Sequence, residues 1–209
     1  MNRQKKKIKI SNDFVILVNG KTEKLYFDAV KEIYKNETPY SLKVLQKSGT
    51  PLTLVQEAIK IRQEYRNIWC VFDIDDSFEE KNLLPALKLA SENDIGLAWS
   101  NEAFEGWLIN HFEPYNTNCN RKQLINKLNS ILSRNGYNFT YTKTNETFLK
   151  ELVKERIQNA VHNTKVDYQT REKHHQLQFS GHKGYTIWEW KTSSCIFKLI
   201  DALKINFRK

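Results

Sequence analysis

The sequence has 209 residues, 40% of them hydrophobic and 12% aromatic, which suits one globular domain, or one with an extension, and excludes wholesale disorder. Lys and Arg outnumber Asp and Glu by 33 to 24, for a formal net charge of +9. That balance favours a polyanionic partner such as nucleic acid, although a Lys-rich source genome would produce it too.

Neither cysteines nor apolar runs point to secretion or a membrane. Cys70, Cys119 and Cys195 lack CxxC spacing, so no zinc site or disulfide scaffold is indicated. The apolar run after Lys5 to Lys7 is too short for a signal peptide, and no stretch approaches the roughly 18 apolar residues of a membrane span. We therefore expect a cytoplasmic protein with no membrane partner.

Strand and helix patterns alternate in the first half of the chain. Residues 14–18 are an uninterrupted apolar, largely β-branched run, typical of a strand buried on both faces of a parallel sheet. Further strand patterns occur at 40–46, 68–72 and 95–99, and helical patterns occur at 25–33, 51–61 and 83–90. The alternation predicts an α/β fold with a doubly wound, mainly parallel sheet.

Beyond about residue 113 only helical patterns remain. Amphipathic helices are predicted at 124–132, 148–161 and 193–203, with a polar stretch at 162–184 before the last of them. We expect an α/β domain over residues 1–112 and a helical extension over residues 113–209 packed on it.

Acidic residues follow three of the predicted strands. Glu23 comes after the first strand, Glu105 after the fourth, and the third delivers Asp73, Asp75 and Asp76. Ligands of open parallel sheets bind outside the carboxyl ends of the strands. Carboxylates gathered there would repel one another, and a bound Mg²⁺ or Mn²⁺ would relieve this while recruiting phosphate oxygens. The sequence thus predicts a metal site built from Asp73, Asp75, Asp76 and Glu105.

Each acid also has a plain structural alternative. Asp76 could cap the next helix. Glu105 could be a surface residue beside the apolar Phe104 and Trp107. The alternative is weakest for Asp73 with Asp75, because a charge directly after the buried run that ends at Phe72 is expected to leave the strand.

Three segments resemble the RloB-like family of small Toprim proteins. They are residues 14–27 (FVILVNGKTEKLYF), 68–76 (IWCVFDIDD) and 98–112 (AWSNEAFEGWLINHF), with weaker echoes at 141–143 and 191–194. The resemblance implies a Toprim-like fold and Mg²⁺-dependent phosphodiester cleavage. The family is similar to overcoming-lysogeny-defect nucleases and to proteins of AbiL-type abortive-infection systems, which implies phage defence, often beside an AAA- or ABC-type ATPase partner.

The resemblance also assigns residues. Asp73 and Asp75 match the metal-binding Asp-x-Asp, Glu105 matches the acid of the Ser-Asn-x-x-Phe-Glu motif, and Lys143 matches the lysine of a Tyr-x-Lys element.

One position departs from the family pattern. The residue before Gly20 is usually a glutamate that serves as general acid or base, and here it is Asn19. An amide cannot take up a proton near neutral pH. Glu23 could substitute if the turn brings it back towards Asp73. It could instead be a first-turn acid that the helix dipole favours.

Two functions stay open. In a nuclease, Lys21 or Lys143 would offset charge on the scissile phosphate. In a catalytically weak module, the same residues would only bind nucleic acid or a partner ATPase. Lys173 and Lys183 lie among aromatic residues of the polar stretch, a mixture that suits phosphate contact with base stacking, although those aromatic residues could equally be core. The sequence specifies neither DNA nor RNA, nor an oligomeric state.

Overall fold

A computed structural model describes residues 11–74, 80–173 and 193–207. In that part of the chain the strands are β1 (Ser11–Val18), β2 (Ser41–Gln46), β3 (Tyr65–Ile74) and β4 (Gly96–Asn101). The helices are α1 (Lys21–Ile33), α2 (Pro51–Lys60), α3 (Glu80–Glu92), α4 (Glu105–Ile109), α5 (Arg121–Arg134), α6 (Glu146–Lys173) and α7 (Ile196–Ala202).

The four strands form one parallel sheet in the order β2-β1-β3-β4. Val18 pairs with Gln46 on one side and with Val71 on the other, and Asp73 pairs with Ser100. The carboxyl ends of β1, β3 and β4 therefore meet at one edge. The prediction that these strands run parallel, with Asn19, Asp73 and Ser100 at the same edge, is confirmed.

The order of strands reverses between β1 and β3. The chain leaves β1 through α1 towards β2 and returns through α2 to β3, so right-handed crossovers place α1 and α2 on opposite faces of the sheet. In agreement with this, α2 contacts α3 while α1 contacts α6. This doubly wound α/β arrangement confirms the predicted fold class and is consistent with the Toprim-like fold. Its switch point lies between the carboxyl ends of β1 and β3, where such sheets bind ligands.

Several elements extend beyond their predicted bounds; strand β4, for example, was expected to end at Trp99 and continues to Asn101. Strand β3 was expected to end at Phe72, but it continues to Ile74, so Asp73 is a strand residue whose backbone pairs with β4. Helix α6 was expected to end near Val161 and instead runs to Lys173. Thr164 and Tyr168 are buried, so the buried face of α6 continues into the segment that the sequence predicts to be a polar stretch.

The helices of the second half pack on the sheet domain and share one hydrophobic core with it. Helix α6 contacts α1, α4 and α7, and α7 contacts β4. Ahead of α7, Ser194 forms an antiparallel bridge with Ser100, and the Cys195 backbone N–H donates to the Trp99 carbonyl at 3.0 Å. The division of the chain at residue 113 stays a prediction. Across the described ranges, no helix combines the length and the apolar character that crossing a bilayer requires.

Candidate functional site

A pocket of about 220 Å³ opens at the carboxyl edge of the sheet, at the switch point. Its walls come from the turn after β1, the start of α1, the end of β3, the start of α4, the first residue of α5 and the loop before α6. The residues that line it are Asn19, Gly20, Lys21, Thr22, Glu23, Asp73, Phe104, Glu105, Arg121 and Lys143. The pocket thus brings together three carboxylates and three cationic side chains.

The Glu23 side chain folds back over Gly20. A Cβ atom built on Gly20 would lie 2.1 Å from Glu23 Oε2 and 2.5 Å from Oε1, so the carboxylate occupies the space that any other side chain at position 20 would fill. The φ angle of Gly20 is −101°, which every residue adopts readily. The absence of a side chain at Gly20 is therefore what allows Glu23 to adopt this position, and the backbone conformation does not itself demand glycine.

Burial shapes the protonation of two of the carboxyl groups. Desolvation raises the pKa of Glu23, and the negative charge of Glu105 raises it further. A hydrogen bond with the residue's own backbone N–H acts in the opposite direction. Burial raises the pKa of Asp73 well above its usual value, the charge of Glu23 adds to the rise, and Arg121 opposes it. The carboxylates therefore interact, and the site favours a proton or another cation.

Asp73 has one partnered oxygen and one that is not. Arg121 Nη2 donates to Asp73 Oδ2 at 3.0 Å. Asp73 Oδ1 is buried and meets no hydrogen-bond partner among the described residues. A buried carboxylate oxygen without a donor is costly, which makes Oδ1 a place where a ligand would stabilise the protein.

Glu105 is buried at the first position of α4, with 2% of its surface exposed. The Tyr141 hydroxyl donates to Glu105 Oε1 at 3.1 Å. The alternative interpretation of Glu105 as a surface residue is therefore wrong. Two residues on, Lys143 accepts through its carbonyl a 3.2 Å hydrogen bond from the Thr22 hydroxyl, so the loop carrying Tyr141 and Lys143 is held against the start of α1.

The Asn19 amide is engaged elsewhere. Its Nδ2 donates to the Gly49 carbonyl at 2.9 Å, and its backbone N–H donates to the Val71 carbonyl at 3.1 Å. The side chain thus ties the turn after β1 to the loop after β2. Asn19 lines the pocket, but its amide N–H serves a structural contact.

The sequence matches the family described as RloB-like protein over residues 14–203. The chain belongs to the RloB-like family. No curated protein and no solved structure matches it.

In this RloB-like protein the pocket fits a divalent metal by its donor chemistry. Carboxylate oxygens are the ligands that Mg²⁺ and Mn²⁺ take, and Asp73 Oδ1 is such an oxygen with no donor in the described part of the chain. The described ranges nevertheless contain no group of three His, Cys, Asp or Glu side chains arranged to hold a metal. Asp73 is the best-placed ligand, and Glu23 and Glu105 line the same pocket.

The site residues predicted from the sequence fall into two groups. Asn19, Lys21, Glu23, Asp73, Glu105 and Lys143 all line the pocket of this RloB-like protein. Asp75, Asp76, Lys183 and the side chain of Lys173 lie outside the described residues. Their assignments to metal or nucleic acid stay predictions.

Sequence reasoning missed Arg121. It follows no strand and is separated from Asp73 by 48 positions. One weak signal was available, because a cation at the first position of a helix opposes the helix dipole, and Arg121 follows Asn120, a residue typical of N-caps.

Proposed function

We propose that this RloB-like protein is a nuclease that hydrolyses phosphodiester bonds of DNA or RNA with the help of Mg²⁺ or Mn²⁺. The observation that carries the proposal is the composition of one pocket at the switch point of the sheet, where three carboxylates face three cationic side chains. Phosphoryl transfer needs this combination, since carboxylates hold the metal and cations hold the phosphate.

Asp73 and Glu105 are the residues we assign to metal binding. Both lie at the carboxyl edge of the sheet, Asp73 on β3 and Glu105 at the start of α4. The Tyr141 hydroxyl keeps one Glu105 oxygen oriented. When bound, the metal would polarise the phosphoryl group and make water a better nucleophile. Asp75 and Asp76, which follow Ile74 in the sequence, are further proposed ligands.

Glu23 is the proton acceptor that Asn19 cannot be. In the hydrolysis, the water oxygen bonds to phosphorus, the bond from phosphorus to one sugar oxygen breaks, and the proton of water passes to Glu23 and then to the leaving oxygen. Burial and Glu105 raise the pKa of Glu23, which brings it closer to neutrality and makes it a stronger base. The fold-back over Gly20 keeps its carboxylate in the pocket.

Lys21, Lys143 and Arg121 are the phosphate-binding groups. Lys21 and Lys143 line the pocket and are exposed to solvent. Their ammonium groups can therefore contact a polyanion without a rearrangement of the pocket. We propose that Lys173 and Lys183 extend this contact along the nucleic acid.

Cleavage with matched variants tests the proposal. Purified protein is incubated with plasmid DNA and with bulk tRNA in Mn²⁺, in Mg²⁺ and in EDTA. We expect metal-dependent cleavage that falls by about 10²-fold or more in Glu23→Gln, as loss of a general base does. Glu57→Gln is the control, because Glu57 pairs with Lys47 and Lys60 away from the pocket. Equal cleavage by the two variants would remove Glu23 from the mechanism.

Two observations favour a second function, a module that binds nucleic acid without cutting it. Asn19 replaces the expected proton acceptor and its amide bonds Gly49, while Arg121 already neutralises Asp73. Such a module would bind labelled oligonucleotides and Mn²⁺ with no cleavage under any of the conditions above.

A role in phage defence, with an AAA- or ABC-type ATPase as partner, is the biological setting we propose on the strength of the family. Comparing phage plaque counts on cells carrying the wild type and Asp73→Asn tests the role. Affinity purification from cells expressing the neighbouring genes tests the partner.

A further inference from the structure

We propose that Arg121 is an exchangeable counterion of the site. It neutralises Asp73 while no metal is bound, and when a divalent cation binds Asp73 its guanidinium is released to hold the phosphate of the substrate. This inference rests on the proposed metal-dependent function, and it adds an order of events, in which metal binding creates a phosphate-binding group.

The contact between Arg121 and Asp73 is a single hydrogen bond. Nη2 donates to Oδ2 at 3.0 Å, while Oδ1 is buried without a donor among the described residues. A permanent Arg–carboxylate pair is commonly bidentate, with two parallel hydrogen bonds. The one-sided contact leaves Asp73 an oxygen for a cation while Arg121 is still in place.

The backbone of Arg121 is fixed although its side chain is not enclosed. The Asn120 side chain accepts from the Gln123 backbone N–H at 3.0 Å, and the Gln123 side chain accepts from the Asn120 N–H at 2.9 Å. The Arg121 N–H also donates to Glu102 Oε1 at 3.3 Å. Its side chain is 37% exposed although Nε is buried, and Nη2 also donates to the Glu102 carbonyl at 3.5 Å, the limiting length of a hydrogen bond. The exposed part of the guanidinium can therefore turn from Asp73 towards the pocket while the helix start stays in place.

The helix itself gives no reason for a cation at this position. Arg121 is the first residue of α5, which has no acidic residue in its first turn, and the positive end of the helix dipole disfavours a cation there. Asp73 and the pocket therefore account for the location of Arg121. Lys122, the next residue, is exposed on the same turn and experiences a similar dipole, which makes it the matched control.

Charge explains the direction of exchange. A divalent cation delivers two positive charges to Asp73, Glu23 and Glu105, where the guanidinium delivers one, and it bonds oxygen directly. Once Asp73 is neutralised by metal, the guanidinium loses its attraction to the carboxylate. A phosphate diester at the pocket is then the strongest available anion for a planar group that matches phosphate geometry.

Mn²⁺ titration tests the competition. Mn²⁺ binding is measured by electron paramagnetic resonance or calorimetry for wild type, Arg121→Gln, Arg121→Lys and Lys122→Gln, without nucleic acid. We expect Arg121→Gln to bind Mn²⁺ about fivefold more tightly, the change that corresponds to the upper range for a partly exposed ion pair. Lys122→Gln should match the wild type. Arg121→Lys, which keeps the charge, should lie between the wild type and Arg121→Gln.

Oligonucleotide binding tests the release, and it needs no cleavage. Asp73→Asn removes the negative charge that pairs with Arg121, with no metal present. We expect this variant, in EDTA, to bind fluorescein-labelled single-stranded DNA or RNA about tenfold more tightly than the wild type, the lower end for a charge-assisted hydrogen bond. Adding Arg121→Gln should abolish the gain, whereas adding Lys122→Gln should keep most of it. Glu105→Gln, which removes an equal charge but leaves Arg121 paired, should gain less.

The outcomes separate this inference from the proposed nuclease. If Arg121→Gln binds Mn²⁺ as the wild type does, or more weakly, the exchange is overturned. It is also overturned if Asp73→Asn binds the oligonucleotide more tightly than the wild type and the double variant with Arg121→Gln does so too. Either result leaves metal-dependent cleavage by the wild type intact as the evidence for the nuclease. If neither the wild type nor Arg121→Gln binds Mn²⁺, both the exchange and the metal-dependent nuclease are overturned.

Discussion

We expect the substitution Gly20→Ala, which adds one methyl group, to lower the cleavage rate without lowering the stability of the protein. The added Cβ would lie 2.1 Å from Glu23 Oε2, and ordinary contacts begin near 3.4 Å, so the carboxylate must retreat by about 1.3 Å. A catalytic group displaced by about 1 Å can cost 10²-fold in rate. Because the obstructed atoms belong to the end of a flexible side chain, Glu23 can move aside without disturbing the backbone.

The effect on stability should run in the opposite direction. The φ and ψ angles of Gly20, −101° and 162°, suit alanine, and a compatible Gly→Ala change stabilises a protein by about 0.4–1 kcal/mol through the unfolded chain. Moving Glu23 also relieves the burial that raises its pKa. We therefore expect Gly20→Ala to unfold at the same or higher temperature, while metal-dependent cleavage falls by about 10²-fold.

Gly96→Ala provides the contrast. Its Cβ would lie 2.3 Å from the Trp69 ring, which has no flexible end to withdraw, so this variant should lose about 1–3 kcal/mol of stability through overpacking. Cleavage rates at saturating metal and thermal melts, measured for both variants and for Glu23→Gln, form the assay. The double variant Gly20→Ala/Glu23→Gln should be no slower than the slower single variant. Cleavage by Gly20→Ala at the wild-type rate, or a double variant slowed by the product of the two single effects, would refute the reasoning.

Three further predictions concern the rest of the pocket. The folded pKa of Asp73 is raised, so the folded state holds its proton more tightly, and its contribution to stability is lost as pH rises from about 4, the unfolded value, through the folded value. In EDTA the melting temperature of the wild type should thus fall relative to Asp73→Asn as pH rises, and Mn²⁺ should raise it in the wild type alone; parallel pH curves would contradict this. Tyr141→Phe removes a buried donor from Glu105 and should cost about 1–3 kcal/mol in denaturant unfolding, and an unchanged midpoint would show that the bond does not matter. Asn19→Glu should change cleavage by less than about tenfold, far below a general base's usual contribution, because in the proposed mechanism Glu23 accepts the proton, and a larger gain would return that role to position 19.

The sheet was predictable because its signals are local. The run at 14–18 and the run that ends at Asp73 are apolar on successive residues, as strands covered on both faces must be. The end of β3 was not predictable, because Asp73 remains in the strand through its pairing with Ser100 and its contact with Arg121, residues distant in sequence. The local sequence pattern predicts that the charged Asp73 lies outside the strand, whereas its contact with Arg121 allows it to remain in β3.

The site was predictable to the extent that strand ends define it. Asp73 lies at the end of β3 and Lys21 three residues after β1, so the parallel topology alone brings them to the same pocket. Whether Glu23 points inward depended on its rotamer and on the absence of a Cβ at Gly20, which a helical pattern does not encode. The position of Arg121 depends on how α5 packs against α4, a tertiary arrangement that sequence periodicity does not report.

A second buried polar cluster, around His111, differs from the pocket because both ring nitrogens of His111 have partners within the chain. His111 is fully buried, its Nδ1 lies 3.1 Å from the Trp107 carbonyl and its Nε2 lies 3.0 Å from the Tyr26 hydroxyl. A carbonyl only accepts, so Nδ1 carries the proton and Nε2 accepts from Tyr26. Burial lowers the pKa of His111 to about 3, which leaves the ring neutral with both nitrogens partnered.

The pocket differs from that cluster in each of these respects. Asp73 keeps a buried oxygen that no described residue donates to, and burial together with Glu23 raises its pKa where a structural salt bridge would lower it. A protein that needed only a stable core at this edge would be better served by an amide or an apolar residue, since unmatched buried carboxyls cost free energy. Both ring nitrogens of His111 are thus matched within the chain, whereas Asp73 Oδ1 is not matched by any described residue, and this difference is why we propose a cation for the pocket and none for His111.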